Sequence, residues 1–320
     1  MELNNIGGTG LRVTPLSFGT SAMGDMPDTY GYPVDEEQAA KTLGAIFEGP
    51  VNFLDTSNNY GFGRSEERIG AAIRAHGGLP EGFVLATKLD RDMETGRFDA
   101  ARVRQSLEES LGRLGLDRIH LLHLHDPEHS RDLGEITCRG GALEELFKLR
   151  EEGLAQAVGL AMGRIDMQFP LLREWPFDAL INHNRYTLLN RSANQMFDFA
   201  CERGMAILNA APYAGGILAK GSANMRRVTY QDATDEILSH VGRIEAVCAR
   251  HGVATGEVAL QFSMRDHRIA STIVGVSKPS RVAEAVKWAK RDISPELWDE
   301  ILSLDYSEED PEANRKYRPG

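Results

Sequence analysis

An alternation restricts this chain more than any other feature. Eight short apolar segments, at 14–18, 52–55, 83–87, 120–125, 156–160, 179–183, 206–210 and 271–276, are bounded mostly by Gly, Pro or Asn and read as strands. Between them run stretches with a 3.6-residue period. In 100–114, Val103, Leu107, Leu111 and Leu114 share one helical face, which predicts packing on a sheet with Glu108, Glu109 and Arg113 outward. The segments 190–203, 235–250 and 280–289 read the same way. Strands joined through helices pair in parallel, and eight such units close a barrel. The competing open, doubly wound sheet usually carries a Gly-x-Gly-x-x-Gly turn after its first strand, and none follows Phe18. The expectation is an α/β fold, a (β/α)8 barrel, for which 320 residues suffice.

Around that barrel the chain reads as one domain over 1–320, with no repeat and no linker. Residues 1–14, with Gly7-Gly8-Thr9-Gly10 between two extended stretches, predict a hairpin that closes the barrel bottom. The stretch between the last two strands is longer than one helix requires, which predicts an insertion over a bound ligand. The polar tail 307–320 is expected to be solvated and partly mobile. Charge narrows the partner: 47 acidic residues against 36 basic leave a formal net charge of −11. Such a surface repels nucleic acid and anionic membrane and points to a small molecule, although one basic pocket can still gather phosphate. No run approaches the roughly 18 apolar residues of a membrane span, and residues 1–5 do not open a signal peptide. Cys138, Cys201 and Cys248 are odd in number and widely spaced, which fits a reducing compartment. The cytoplasm is the expected location; the oligomeric state is left open.

Function in a barrel of this kind sits at the C-terminal strand ends. The polar residues there are Asp55, Tyr60 in the following loop, Lys88 and His125. They make chemical sense together for interconverting a carbonyl and an alcohol. A phenol serves as proton donor or base if its pKa, about 10 when free, is pulled toward neutrality. Lys88 is expected to do the pulling, with Asp55 holding the ammonium in place, and His125 to donate a hydrogen bond to the substrate oxygen. A different chemistry is also open: His123 and His125 alternate onto one strand face, and a His-x-His pair can ligate metal in a barrel hydrolase. No further ligands are evident and Tyr60 is then unexplained, so no metal is expected.

Residues 54–70 read LDTSNNYGFGRSEERIG, which resembles the signature of the aldo-keto reductase family. Ala86-Thr87-Lys88 resembles its lysine motif. LGLDRIHLLHLHDP at 114–127 resembles its histidine motif and selects His125 over His123. The segment 153–160, Gly215-Gly216-Ile217-Leu218 and 273–284 resemble three further family segments. The resemblance runs from about Leu11 to Ala289. It implies a catalytic tetrad of Asp55, Tyr60, Lys88 and His125, and a nicotinamide dinucleotide extended over the barrel mouth. It implies cofactor contacts from Gly19, Thr20, Asp55, Asn182, His183, Pro212, Gly215, Gly216, Gly275, Ser277, Lys278 and Arg281. Asn59, Tyr60, His125 and Asp126 are implied for the substrate.

The departures from the family carry information. Ala161-Met162 stand where Ser-Asn usually hold the carboxamide, His183 aligns with a Gln, and Ala210 or Ala211 with a stacking aromatic. The nicotinamide is therefore expected to be held differently, by Asn182, Asn209 or Met162. Asp126 replaces a common Trp, and Asn58, Asn59, His123 and Arg185 are expected near the mouth. These point to an aldose or a pyridoxal-like compound rather than a steroid. Asn182-His183-Asn184-Arg185 and 209–212 most resemble the aldose, L-fucose and pyridoxal dehydrogenases of the family. Gly275 and Ala285 replace a Lys and an Asn of NADP-using relatives. NAD is thus expected to serve at least as well as NADP, although Lys278 and Arg281 remain as cations. Some proteins resembling this family act chiefly as cofactor-binding sensors or subunits, a different class that the sequence leaves open.

Overall fold

A computed structural model describes residues 1–313; positions 314–320 of the tail lie outside the described residues. Eight parallel strands close into a barrel. They are β1 (Leu16–Gly19), β2 (Phe53–Asp55), β3 (Val84–Leu89), β4 (Ile119–His125), β5 (Ala155–Ala161), β6 (Ala179–His183), β7 (Ala206–Ala210) and β8 (Ile269–Gly275). The ring is sealed where Thr272 to Gly275 of β8 pair with Leu16 to Gly19 of β1. Outside it lie α1 (Glu36–Phe47), α2 (Arg64–His76), α3 (Ala100–Leu114), α4 (Ala142–Glu151), α5 (Ile165–Glu174) and α6 (Asn194–Glu202). They continue as α7 (Asp235–Arg250), α8 (Thr255–Met264), α9 (Pro279–Ala289) and α10 (Pro295–Leu302), with α7 packed on both α8 and α10.

Strand alternation builds two apolar layers. Leu16, Phe18, Leu54, Leu85 and Leu122 face the helices, whereas Phe53, Val84, Ala86, Leu121, Ile181 and Leu208 fill the barrel interior. Each fully buried Val, Leu, Ile or Phe side chain among them contributes about 1.5–3 kcal/mol. The N-terminal hairpin, Asn4–Asn5 against Arg12–Val13, adds Ile6, Leu11 and Val13 to the interior layer. It plugs the bottom, so the C-terminal mouth is left for function.

Three local readings are corrected. On α3, Glu109 and Arg113 do not simply face solvent: Arg113 pairs with fully buried Glu66, and Glu109 binds Arg102 and Asn58. This polar face locks onto the loop after β2. Helix α6 begins at Asn194 rather than 190, because Thr187 N–H donates to Asn190 O at 2.8 Å and closes a turn first. The described part of the tail is docked: Ser307 N–H donates to Leu189 O at 2.9 Å, and Asn190 Nδ2 donates to Glu309 O at 2.7 Å. The expected insertion between β7 and β8 comprises a small hairpin, Arg227–Val228 against Gln231–Asp232, and α7.

Candidate active site

Strand ends and one loop bring the four polar residues together. Asp55 ends β2, Lys88 is the penultimate residue of β3 and His125 ends β4, while Tyr60 lies between β2 and α2. Lys88 Nζ donates to Asp55 Oδ2 at 2.7 Å, to Thr56 O at 2.7 Å and to the Tyr60 hydroxyl at 3.1 Å. The ammonium is buried, and its three protons are all engaged. The Tyr60 and His125 rings meet edge to face at 5.8 Å. The glycines of 54–70 make this approach possible. A Cβ on Gly61 would lie 2.0 Å from Gly24 O, and one on Gly70 the same 2.0 Å from Arg113 O. Gly61 also has φ +62°, so the turn after Tyr60 rests backbone on backbone.

Electrostatics modify one expectation. Burial pushes the Tyr60 phenol well above its ordinary pKa, and Asp55, Tyr30, Asp126 and Asp90 add to the rise. Lys88 touches the phenol but does not outweigh burial, so the phenol is a neutral acid. Burial likewise raises the Asp55 carboxyl, with Lys88 opposing. His123 is fully buried in the barrel, and burial, Lys88 and His125 hold it well below the usual imidazole range. Among the described residues no three His, Cys, Asp or Glu gather as a metal site.

Sequence reasoning missed Asp90, just past β3. Its carboxylate accepts from His125 Nδ1 at 2.7 Å, from Asn59 N–H at 2.9 Å and from the Ser57 hydroxyl. Burial acts to raise it, yet His125 and Ser57 hold it below the usual carboxylate range. Tyr213, also missed, contributes a buried hydroxyl with no hydrogen-bond partner to the cleft.

The mouth opens into a cleft of about 1110 Å³, above the usual range for one drug-sized ligand. Asn59, Tyr60, His125 and Asp126 line it, as do Gly19, Asp55, His183, Pro212, Gly215, Gly216, Gly275, Ser277 and Arg281. Three expected contacts are not among its walls. Thr20 instead donates to Asp55 O, Asn182 donates to Met162 O, Gly163 O and Gln168, and Lys278 is exposed at the start of α9. Asn209 is likewise turned away, onto Tyr186 O and Ser263. Asn58 and His123 also stay outside the cleft: Asn58 is held by Ser106 and Glu109. Alternation explains Asn182, since it leaves His183 facing the interior and turns its neighbour to the helix layer.

The residues present fit a nicotinamide dinucleotide. Asp55 Oδ1 and Asn59 Oδ1 are buried in the cleft wall without partners, and Gly215 and Gly216 expose backbone at φ +75° and +106°, conformations that let a ligand approach closely. Fold and site together define a barrel enzyme with its polar machinery on the C-terminal loops. A model of the aldo/keto reductase family matches residues 15–305. The chain is 30% identical to D-threo-aldose 1-dehydrogenase of a Pseudomonas species, covering 91% of this chain and 94% of that protein. It is 29% identical to pyridoxal 4-dehydrogenase of Microbacterium luteolum, covering 94% and 97%. The holo form of an aldo-keto reductase from Bacillus halodurans shares the fold, with TM-score 0.80 over 99% of this chain and 100% of that one, at 21% identity. The chain belongs to the aldo/keto reductase family. It is an oxidoreductase that interconverts carbonyl and alcohol groups with a nicotinamide dinucleotide.

Proposed function

We propose that Tyr60 moves the proton in this reaction, with Lys88 and Asp55 orienting its hydroxyl and His125 holding the substrate oxygen. The observation that carries the reading is the Lys88 ammonium, which bridges Asp55 and the Tyr60 hydroxyl at 2.7 and 3.1 Å. The nicotinamide dinucleotide, when bound, supplies or removes the hydride. For reduction, the neutral phenol is already in its donor form and hands its proton to the developing alkoxide. For oxidation, Tyr60 must first release that proton, and the adjacent ammonium stabilises the phenolate.

The substrate is a polar aldose or pyridoxal-like compound. The names of the two relatives support this class, and so do the walls: Asn59, Asp126, Glu128, Arg164 and Arg185 line the cleft. Arg185 and Arg164 already have carboxylate partners, but Asn59 Oδ1 is buried without one, and an apolar ligand would leave it unpaired at about 1–3 kcal/mol. A panel of aldoses, pyridoxal, steroids and long-chain aldehydes tests this through kcat/KM. An aldose or pyridoxal is expected to lead; a steroid in first place contradicts it.

NAD serves at least as well as NADP. Glu284 lines the cleft and neutralises Arg281 through an ion pair. Of the two cations at the start of α9, Lys278 and Arg281, the one that lines the cleft is thereby already paired, and a carboxylate beside it repels phosphate.

A further inference from the structure

Asp90 is built into the site more firmly than a surface carboxylate. Its backbone is held at both ends by α3: its N–H donates to Ser106 Oγ at 3.0 Å, and Arg102 Nε donates to its carbonyl at 2.9 Å. Its side chain is 1% exposed, and Oδ1 takes the His125 Nδ1 proton at 2.7 Å. An ionised carboxylate only accepts, so Nδ1 must carry hydrogen. The ring's other nitrogen, Nε2, then has a lone pair when the imidazole is neutral and an N–H only when it is cationic.

We propose that Asp90 is a positioning residue that fixes the tautomer of His125 and sets which direction of the reaction it assists. As an imidazolium, His125 donates Nε2–H to a carbonyl oxygen. As a neutral ring, it has no Nε2–H to give and leaves the single hydroxyl proton of an alcohol to the Tyr60 phenolate. This rests on the reading above that His125 meets the substrate oxygen. The charged and titratable groups around the ring are Asp90, Asp126 (Oδ2 at 3.7 Å from Nε2), Lys88, Asp55, Tyr60 and His123. Burial and Lys88 act against the cation, yet Asp126 and Asp90 prevail and its pKa is raised. Carbonyl reduction therefore holds at low pH and falls as pH rises through the His125 midpoint.

Histidine ¹⁵N NMR on the whole protein tests the assignment without any substrate. The neutral ring is expected as the Nδ1–H tautomer, with a midpoint above the ordinary value of about 6.5. In Asp90→Asn, the midpoint is expected to fall by about one unit or more and the tautomer preference to be lost. With DL-glyceraldehyde and NADH, the same variant is expected to lose kcat about 10- to 100-fold with little change in KM. The alkaline limb should move to lower pH, a shift that mere loosening of the fold would not produce. A wild-type neutral ring found as Nε2–H overturns the proposal even if Asp90→Asn fails to fold, as does an unmoved midpoint in a folded variant. Because NMR reads the His125 ring without any turnover, absence of turnover in the wild type would instead count against the reading of the tetrad.

Discussion

Lys88 has three protons and the protein engages all of them, which makes its loss costly in two ways. Lys88→Met removes the charge partner of the phenol, so turnover is expected to drop about 10²–10⁴-fold. It also strands Asp55, whose side chain is 6% exposed, and loss of one buried partner costs about 3–5 kcal/mol. A thermal or urea midpoint unchanged from the wild type would contradict that second effect. Glu128 gives a residue-scale prediction of opposite sign. Burial and Asp126 push its carboxyl up to about 7, against backbone hydrogen bonds from Gly163 and Arg164. An unfolded chain releases that proton near 4.5, so between these values only the folded state holds it. The contribution of Glu128 to native stability therefore falls as pH rises from 4.5 to above 7. Glu128→Gln keeps an acceptor for both N–H groups and is expected to stabilise the fold by about 1–3 kcal/mol at pH 8. Urea midpoints near pH 4 should then coincide with those of the wild type.

At the scale of elements, the strap 307–313 is the part that local pattern does not predict. Arg185, 1% exposed, donates to Asp310 at 2.7 Å and to Glu312 at 3.1 Å, and thereby fastens the strap across the mouth. Asp310 is 30% exposed and Glu312 10%, so most of the energy is expected from Glu312. Converting both to amides leaves a buried guanidinium without its counter-charge. A loss of about 3 kcal/mol is expected, with faster amide exchange confined to 307–313 and its neighbours at 189–191. Unchanged exchange there would remove Arg185 as the latch. Strands and helices were legible because apolar periodicity is local: β6 and β7 fall where the pattern puts them, and α3 and α7 match it end to end. The predicted eighth strand, at 271–276, starts late because β8 changes register between Ile269 and Ser271. The gathering of Asp55, Tyr60, Lys88 and His125 at the mouth was legible through motifs. Asp90 and the strap were not, because their partners lie 35 and 127 residues away. A polar pair at such separation leaves no periodic trace.

For the whole molecule, the shape of the barrel decides where chemistry can happen, since the hairpin plugs one end and the cleft occupies the other. Cofactor choice belongs to this scale because the cleft extends from the tetrad to α9. Glu284→Gln frees Arg281 and is expected to raise kcat/KM for NADP relative to NAD by about tenfold, the worth of roughly 1.4 kcal/mol; no change would remove Glu284 as a determinant. The central claim is that this cleft transfers hydride with Tyr60 as its proton carrier. The most direct measurement follows the absorbance of reduced nicotinamide in the wild type and in Tyr60→Phe, on the best aldose or pyridoxal substrate, with cofactor binding titrated separately by protein fluorescence. The account predicts a loss of turnover of about 10²–10⁴-fold with nearly unchanged cofactor affinity. Full turnover in Tyr60→Phe would contradict it.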